Sequence, residues 1–282
     1  MDKASVRTYI DDLNNFETER GVGINNQSFY LRHTRSEASI CVLMIHGFTS
    51  APQETKYIAN ACHQSANVDI VSICLPGHGS RPEGMKHCTH DDWMNAGKAA
   101  YEVVNQGYDE VVLVGISMGA LVAIQCAVIK QPVGLICVAP ALIFSDWRLR
   151  IGGPAAPVVT KISAKLGLKR IKGKLTDINK GTVYPYFPIE ATVPLYKLSA
   201  LTRKKLTNIT CPLLICHSID DVVIRPQSAQ LMYNKVKSKH KQLIWSSGEH
   251  NFVALPNLQQ QKVVESMVAF CEDPVLYFDK LA

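Results

Sequence analysis

The pentapeptide Gly115-Ile116-Ser117-Met118-Gly119 places a serine between two glycines, each two residues away. A serine hydroxyl is a weak nucleophile until a base takes its proton, and the base needs an acid to orient it. The flanking sequence suits that use. VVLV before the motif reads as a strand and ALVAIQCA after it as a small-residue helix, the setting of a nucleophile elbow. The glycines let strand and helix close around a strained turn, which pushes the hydroxyl outward. The helix amino terminus beneath it favours developing negative charge. Ser117 is the candidate nucleophile.

After such an elbow the partners follow in the order acid, then histidine. Of the histidines well beyond Ser117, His240 lies in KSKHK, a solvated helix end, and His217 ends an apolar strand as a core residue would. His250, in WSSGEHNF, follows the last expected strand on a glycine-containing loop. That placement reaches the carboxyl edge of a sheet, where open α/β folds form their sites. His250 is the candidate base. Asp220 and Asp221 both lie on the loop after CPLLICHS, and the residues alone leave the choice between them open. Glu249 is too close in sequence to His250 to approach its ring, and Asp146 is a weaker candidate.

A tetrahedral intermediate needs amide donors aimed at its oxyanion. The Met118 amide is one candidate, fixed by the elbow. The second is the Phe48 amide in His46-Gly47-Phe48-Thr49, after the strand-like SICVLMI. His46 is read as holding that loop. Pro76-Gly77-His78-Gly79 is a tight turn at the same edge, with His78 able to line a pocket.

The elements that must position these groups follow from the hydrophobic pattern. Strands are expected at 38–45, 68–75, 110–115, 133–139, 211–217 and 241–246, with helices near 53–65, 90–106, 118–130, 226–238 and 258–271. Continuous apolar strands separated by helices imply a mostly parallel sheet with helices on both faces. Residues 24–33 alternate, as an antiparallel edge strand would. The uncharged run 111–129 has the length of a membrane span, but its β-branched first part and Ala-rich second part read as a buried strand turning into a buried helix.

Hydrophobic residues make up 47%, ample for a core, and the 19% charged residues exclude a disordered chain. The polar, acidic amino terminus has no apolar core of a signal peptide. Nine cysteines, four of them inside strand-like runs, read as small hydrophobes in a reducing compartment. A cytoplasmic location is expected, and no zinc-ligand spacing appears.

The alternation breaks at 145–208, which carries 13 Lys/Arg against 3 acidic residues, while the whole chain is only +6. This stretch reads as a mostly helical cap without a clear strand, inserted into a core formed by 1–144 and 209–282. Its densest run, KISAKLGLKRIKGK, interleaves Ile162, Leu166, Leu168 and Ile171 with lysines. The plain reading is a solvated helical face. The sharper one is peripheral contact with an anionic membrane. Nucleic-acid binding is not expected, since no aromatic interleaving or motif accompanies the charge.

HGFTS, LPGHGSRPE, DDW before a helix, GISMGA, CPLLICHSIDD and SGEH together resemble the bacterial carboxylesterases and monoacylglycerol lipases of the α/β-hydrolase superfamily. The resemblance covers about 38–144 and 209–272 and stops at the cap. It implies an α/β-hydrolase fold and ester cleavage through an acyl-enzyme, with no metal or cofactor. Its implied catalytic residues are Ser117, Asp220 and His250, with oxyanion amides on Phe48 and Met118. Asp220 is favoured as the first carboxylate of its loop. Many relatives have SGH where this chain has Ser247-Gly248-Glu249-His250, a departure that shifts the histidine loop. The implied substrate is an ester with an acyl chain, monoacylglycerol or another single-chain lipid ester first. A short-chain carboxylesterase, lysophospholipase, thioesterase or acyltransferase would use the same acyl-enzyme. A non-catalytic binding module on this fold is the reading from another class.

Overall fold

Runs of apolar, often β-branched residues that are buried on both faces form the central strands. The computed structural model describes residues 3–33, 38–146, 158, 170–172, 183–254 and 260–280. In chain order the strands are β1 (Phe29–Leu31), β2 (Ile40–Ile45), β3 (Val68–Ile73), β4 (Glu110–Ile116), β5 (Gly134–Val138), β6 (Arg170–Lys172), β7 (Tyr186–Pro188), β8 (Leu213–Ser218) and β9 (Lys241–Ser246). Seven form one sheet in the order β1-β3-β2-β4-β5-β8-β9. It is parallel except for β1, which pairs antiparallel with β3 as the alternation at 24–33 suggested.

Among the described residues the helices of eight or more residues are α1 (Lys3–Glu19), α2 (Lys56–Ser65), α3 (His90–Gly107), α4 (Met118–Ile129), α5 (Thr192–Lys205), α6 (Gln227–Lys235) and α7 (Gln261–Glu272), and the short α8 (Pro274–Asp279) follows. Alternate strand residues feed two cores. Cys41, Leu43 and Ile45 pack with Trp93 and Leu121, from α3 and α4, on one face. Val42 and Met44 pack with Ile58 and Met267, from α2 and α7, on the other. Helix α3 starts with a reciprocal cap: Thr89 Oγ1 accepts the Asp92 N–H while Asp92 Oδ2 accepts the Thr89 N–H.

The uncharged run 111–129 divides as expected into β4 and α4. Helix α4 is apolar all round because β4, α3 and α5 enclose it. Among the described residues no helix is long and apolar enough to cross a membrane. The amino-terminal stretch, where the sequence pattern indicated no element, forms α1. Only Val6, Ile10 and Glu17 of it are buried, too sparse a stripe to stand out in a polar segment.

The described part of 145–208 holds short strands where the sequence showed no clear one, beside the helix α5. There β6 pairs antiparallel with β7. Each strand is three residues long, too short for a period-2 pattern to register. Helix α5 packs on α4, where Gln125 Nε2 donates to Thr202 Oγ1 at 2.9 Å. Most of the basic run, including Ile162, Leu166 and Leu168, lies outside the described residues.

Candidate active site

Strand β4 ends at Ile116 and α4 begins at Met118, leaving Ser117 alone in the turn with φ 54° and ψ −110°. A positive φ on a non-glycine residue costs about 1–3 kcal/mol and persists only when its surroundings enforce it. They do so here through close packing. A Cβ on Gly119 would stand 2.1 Å from the Ile45 carbonyl oxygen, and one on Gly115 would stand 2.4 Å from Ala120 Cα. The Ser117 N–H donates to Val138 O at 2.8 Å, anchoring the turn to β5.

The hydroxyl meets the expected base. Ser117 Oγ lies 2.9 Å from His250 Nε2, and His250 Nδ1 lies 2.6 Å from Asp221 Oδ2. All three residues are buried. A carboxylate at Nδ1 requires the proton there, which leaves Nε2 to accept from the serine. Asp221 Oδ1 accepts the amides of Val223 and Ile224, each at 2.8 Å. Burial pushes the Asp221 carboxyl up. The His250 hydrogen bond and charge, with those two amides, outweigh it and hold the group below the usual carboxylate range.

The carboxylate on the imidazole is therefore Asp221, and the expectation of Asp220 is corrected. Asp220 Oδ2 instead accepts the Gly248 N–H at 3.0 Å, two residues before the histidine. Ser218 Oγ donates to the Gly248 carbonyl at 2.5 Å, so the base-bearing loop is tied at both polar groups of Gly248. His217 is a buried core histidine as expected, with Nε2 3.2 Å from Ile224 O and 3.4 Å from Asp221 Oδ2.

The loop after β2 abuts the elbow. His46 is fully buried: Nδ1 donates to Gly47 O at 2.8 Å, and Nε2 accepts the Leu75 N–H at 3.0 Å. Burial first, then His78, pushes its pKa well down, so it is a neutral brace for the loop, as read from the sequence. The Ser50 N–H also donates to Gly47 O, at 3.3 Å. In a trans peptide C=O and N–H point opposite ways, so holding Gly47 O directs the Phe48 N–H away from His46. Met118 heads α4, where amides lack intrahelical partners.

Glu54, in the 3₁₀ turn Pro52–Thr55, was not singled out by sequence reasoning. It is buried, and its Oε2 accepts the Gly47 N–H at 2.6 Å. The available signal was an acidic side chain a few residues beyond the loop, in a segment that otherwise reads as polar turn.

The described part of 145–208 packs on this loop. The Tyr184 N–H donates to Thr49 O at 2.8 Å, and Phe187 packs edge-on against Phe48 with ring centroids 5.1 Å apart. Tyr184 stacks on His78, whose buried Nδ1 donates to Pro76 O at 3.0 Å. Burial pushes the His78 pKa down to about 4. Among the described residues no group of three His, Cys, Asp or Glu side chains could hold a metal ion.

A strained serine at the carboxyl end of a parallel strand, relayed through histidine to a buried aspartate, defines a serine hydrolase on the α/β-hydrolase fold. The family model described as "Serine aminopeptidase, S33" matches residues 36–252, and the chain belongs to that family. The chain is 26% identical to a thermostable monoacylglycerol lipase of Bacillus sp. (strain H-257), over 81% of this chain and 89% of the relative. It is 23% identical to a carboxylesterase of Bacillus subtilis (strain 168), over 76% of this chain and 85% of the relative. A solved structure reported for the metagenome-derived lipolytic enzymes LipS and LipT superposes with TM-score 0.75 at 26% identity, covering 89% of this chain and 98% of that one. The protein is a serine hydrolase of the lipase and esterase type.

Proposed function

We propose that this enzyme hydrolyses monoacylglycerols or similar single-chain lipid esters through an acyl-enzyme. The observation that carries the reading is the continuous contact from Ser117 Oγ through His250 to Asp221. Ser117 attacks the ester carbonyl while His250 Nε2 takes its proton. His250 then returns the proton to the departing alcohol, and Asp221 holds the imidazole in the tautomer that makes this possible. The Phe48 and Met118 amides receive the oxyanion. Water, activated by the same histidine, releases the acid. His250 relays both protons of the cycle: the Ser117 proton leaves with the alcohol, and a proton of the attacking water restores the serine hydroxyl.

The preference for an acyl chain rests on two supports. The oxyanion loop is roofed by aromatic side chains, Phe48 against Phe187 and Trp93, which favour an apolar substrate over a polar one. The relative with higher identity of the two named above is a monoacylglycerol lipase. The segment 145–208 serves in this reading as a cap that sets acyl fit, and its positive charge brings it to anionic membranes. A panel of monoacylglycerols of graded length, short-chain esters, lysophospholipids, acyl thioesters and aminoacyl anilides tests the substrate. A steep rise in kcat/KM with chain length is expected, and a maximum at short chains would overturn the lipid assignment in favour of a general carboxylesterase. Co-sedimentation tests the cap: preferential binding to anionic over neutral vesicles is expected, and equal binding would refute the membrane contact.

A further inference from the structure

Beside the triad and the two oxyanion amides stands a buried carboxyl group, Glu54, that the mechanism above does not use. Glu54 is 4% exposed and sits in the turn that follows the oxyanion loop. A carboxylate is removed from water at a cost of several kcal/mol unless a specific interaction offsets it. A short bond, Gly47 N–H to Oε2 at 2.6 Å, offsets part of that cost here. The position of this bond is what matters. Gly47 O is already held by the His46 ring and the Ser50 amide. With Glu54 on its N–H, both polar groups of Gly47 are fixed, one from each side. The peptide that ends in the Phe48 N–H then has no freedom to turn.

We propose that Glu54 is a positioning residue of the oxyanion hole, acting through Gly47 to aim the Phe48 amide at the developing charge. The proposal rests on the acyl-enzyme reading given above. Glu54 does not touch the reacting atoms. Its oxygen need only accept a hydrogen bond at a fixed place, so the reach of the side chain matters more than its charge. Gln has the same length and keeps an accepting oxygen. Asp keeps the charge but draws the oxygens back by one methylene, out of contact with Gly47. Donors contribute to catalysis only when set within a few tenths of an ångström of the oxyanion, and a misplacement of about 1 Å costs roughly 10²-fold.

The test compares wild type, Glu54→Gln and Glu54→Asp for steady-state hydrolysis of one p-nitrophenyl ester, with thermal unfolding followed alongside. A fluorophosphonate probe counts active Ser117 in each preparation, so that kcat refers to competent enzyme. Glu54→Asp is expected to lose about 10²-fold in kcat with KM within about threefold, because the donor acts mainly in the transition state. Glu54→Gln is expected to stay within about fivefold of wild type in kcat. Should Glu54→Asp fail to fold, Glu54→Ala, which removes the acceptor of the Gly47 N–H altogether, replaces it with the same expectation of lost kcat. Wild-type kcat in Glu54→Asp, or in a folded Glu54→Ala, would overturn the proposal. So would a loss in Glu54→Gln as large as that in Glu54→Asp, since it would assign the effect to charge and not to reach. An unlabelled, inactive wild type would instead refute the acyl-enzyme reading itself.

Discussion

Asp221 lies just past the carboxyl end of β8, and Asp69 lies near the amino end of β3, at the opposite edge of the same sheet. Both are buried and both are well supplied with donors. Asp69 accepts from the Tyr108 hydroxyl at 2.6 Å, the His33 amide at 2.8 Å and Lys3 Nζ at 3.4 Å. Asp221 accepts two amides and the His250 ring. The difference lies in what stands behind the partners. Burial pushes the Tyr108 hydroxyl far up, so it keeps its proton, and no nucleophile or base stands behind it. Behind His250 stands a strained serine. A buried, fully bonded aspartate at one end thus ties α1 and the β1 edge to the sheet, while at the other end it governs a proton that moves.

Substitutions should separate the two edges cleanly. Asp221→Asn leaves the pocket filled but favours the wrong imidazole tautomer. Loss of about 10⁴-fold in kcat is expected, with the fold retained by circular dichroism. Ser117→Ala should abolish both hydrolysis and fluorophosphonate labelling, at a cost of at least about 10⁴-fold. Activity within tenfold of wild type in either variant would break the assignment of this edge.

Glu54 joins the comparison as a buried carboxylate whose pKa moves the other way. Burial raises it from 4.5 to about 7, against the pull of the Gly47 amide and the His250 charge. Between those values the folded protein keeps a proton that the unfolded chain has lost. Stability through this group therefore falls as pH rises across that window and levels off above it. The full difference is on the order of 3 kcal/mol. Asp221, with its pKa lowered, acts in the opposite sense, and its contribution is lost only as pH falls through the acid range. Urea unfolding of wild type and Glu54→Gln at about pH 5 and pH 8 checks the sign: the variant should gain on wild type at the higher pH. A constant gap between them would refute it.

Asp69→Asn is expected to cost stability without touching catalysis. The amide retains one acceptor but turns a donor toward the Tyr108 hydroxyl or Lys3, a loss of about 1–3 kcal/mol. The urea midpoint should fall while kcat stays within about twofold. A fall in kcat comparable to that of Asp221→Asn would erase the distinction between the edges.

Much of this was readable in the sequence, and the unreadable parts share a cause. The strands and the elbow announce themselves through long apolar runs and a glycine pattern tied to a turn. His250 was found because a loop after the last strand has only one edge to reach. Asp221 was not separable from Asp220, because their directions are set by the turn and not by any period. The Val223 and Ile224 amides capture Oδ1 of Asp221 and swing Oδ2 toward the histidine, and nothing in CPLLICHSIDD reveals that capture. Placing the acid on the first carboxylate counted positions where backbone hydrogen bonding decides. Glu54 was missed for a related reason, since burial in a short polar turn leaves no hydrophobic trace. The paired strands β6 and β7 were missed because three residues carry no periodicity.

Asp220 offers the smallest expected effect and the sharpest test of that last distinction. Its carboxylate accepts the Gly248 N–H at 3.0 Å, and Gly248 takes up φ 100° in the turn that delivers His250. Asp220 therefore acts on the base through the backbone, whereas its neighbour acts through the ring. Asp220→Asn keeps an oxygen in place for Gly248, and the Ser218 hydroxyl still holds the Gly248 carbonyl. Loss of no more than about threefold in kcat is expected, near the limit of what loss of a charge-assisted component in one exposed hydrogen bond would give. Asp220→Ala removes the acceptor and should cost more, about tenfold, by loosening the loop that aims Nε2 at Ser117. An Asp220→Asn loss approaching 10⁴-fold would return the catalytic acid to Asp220 and mean that the two carboxylates exchange places on the imidazole during turnover.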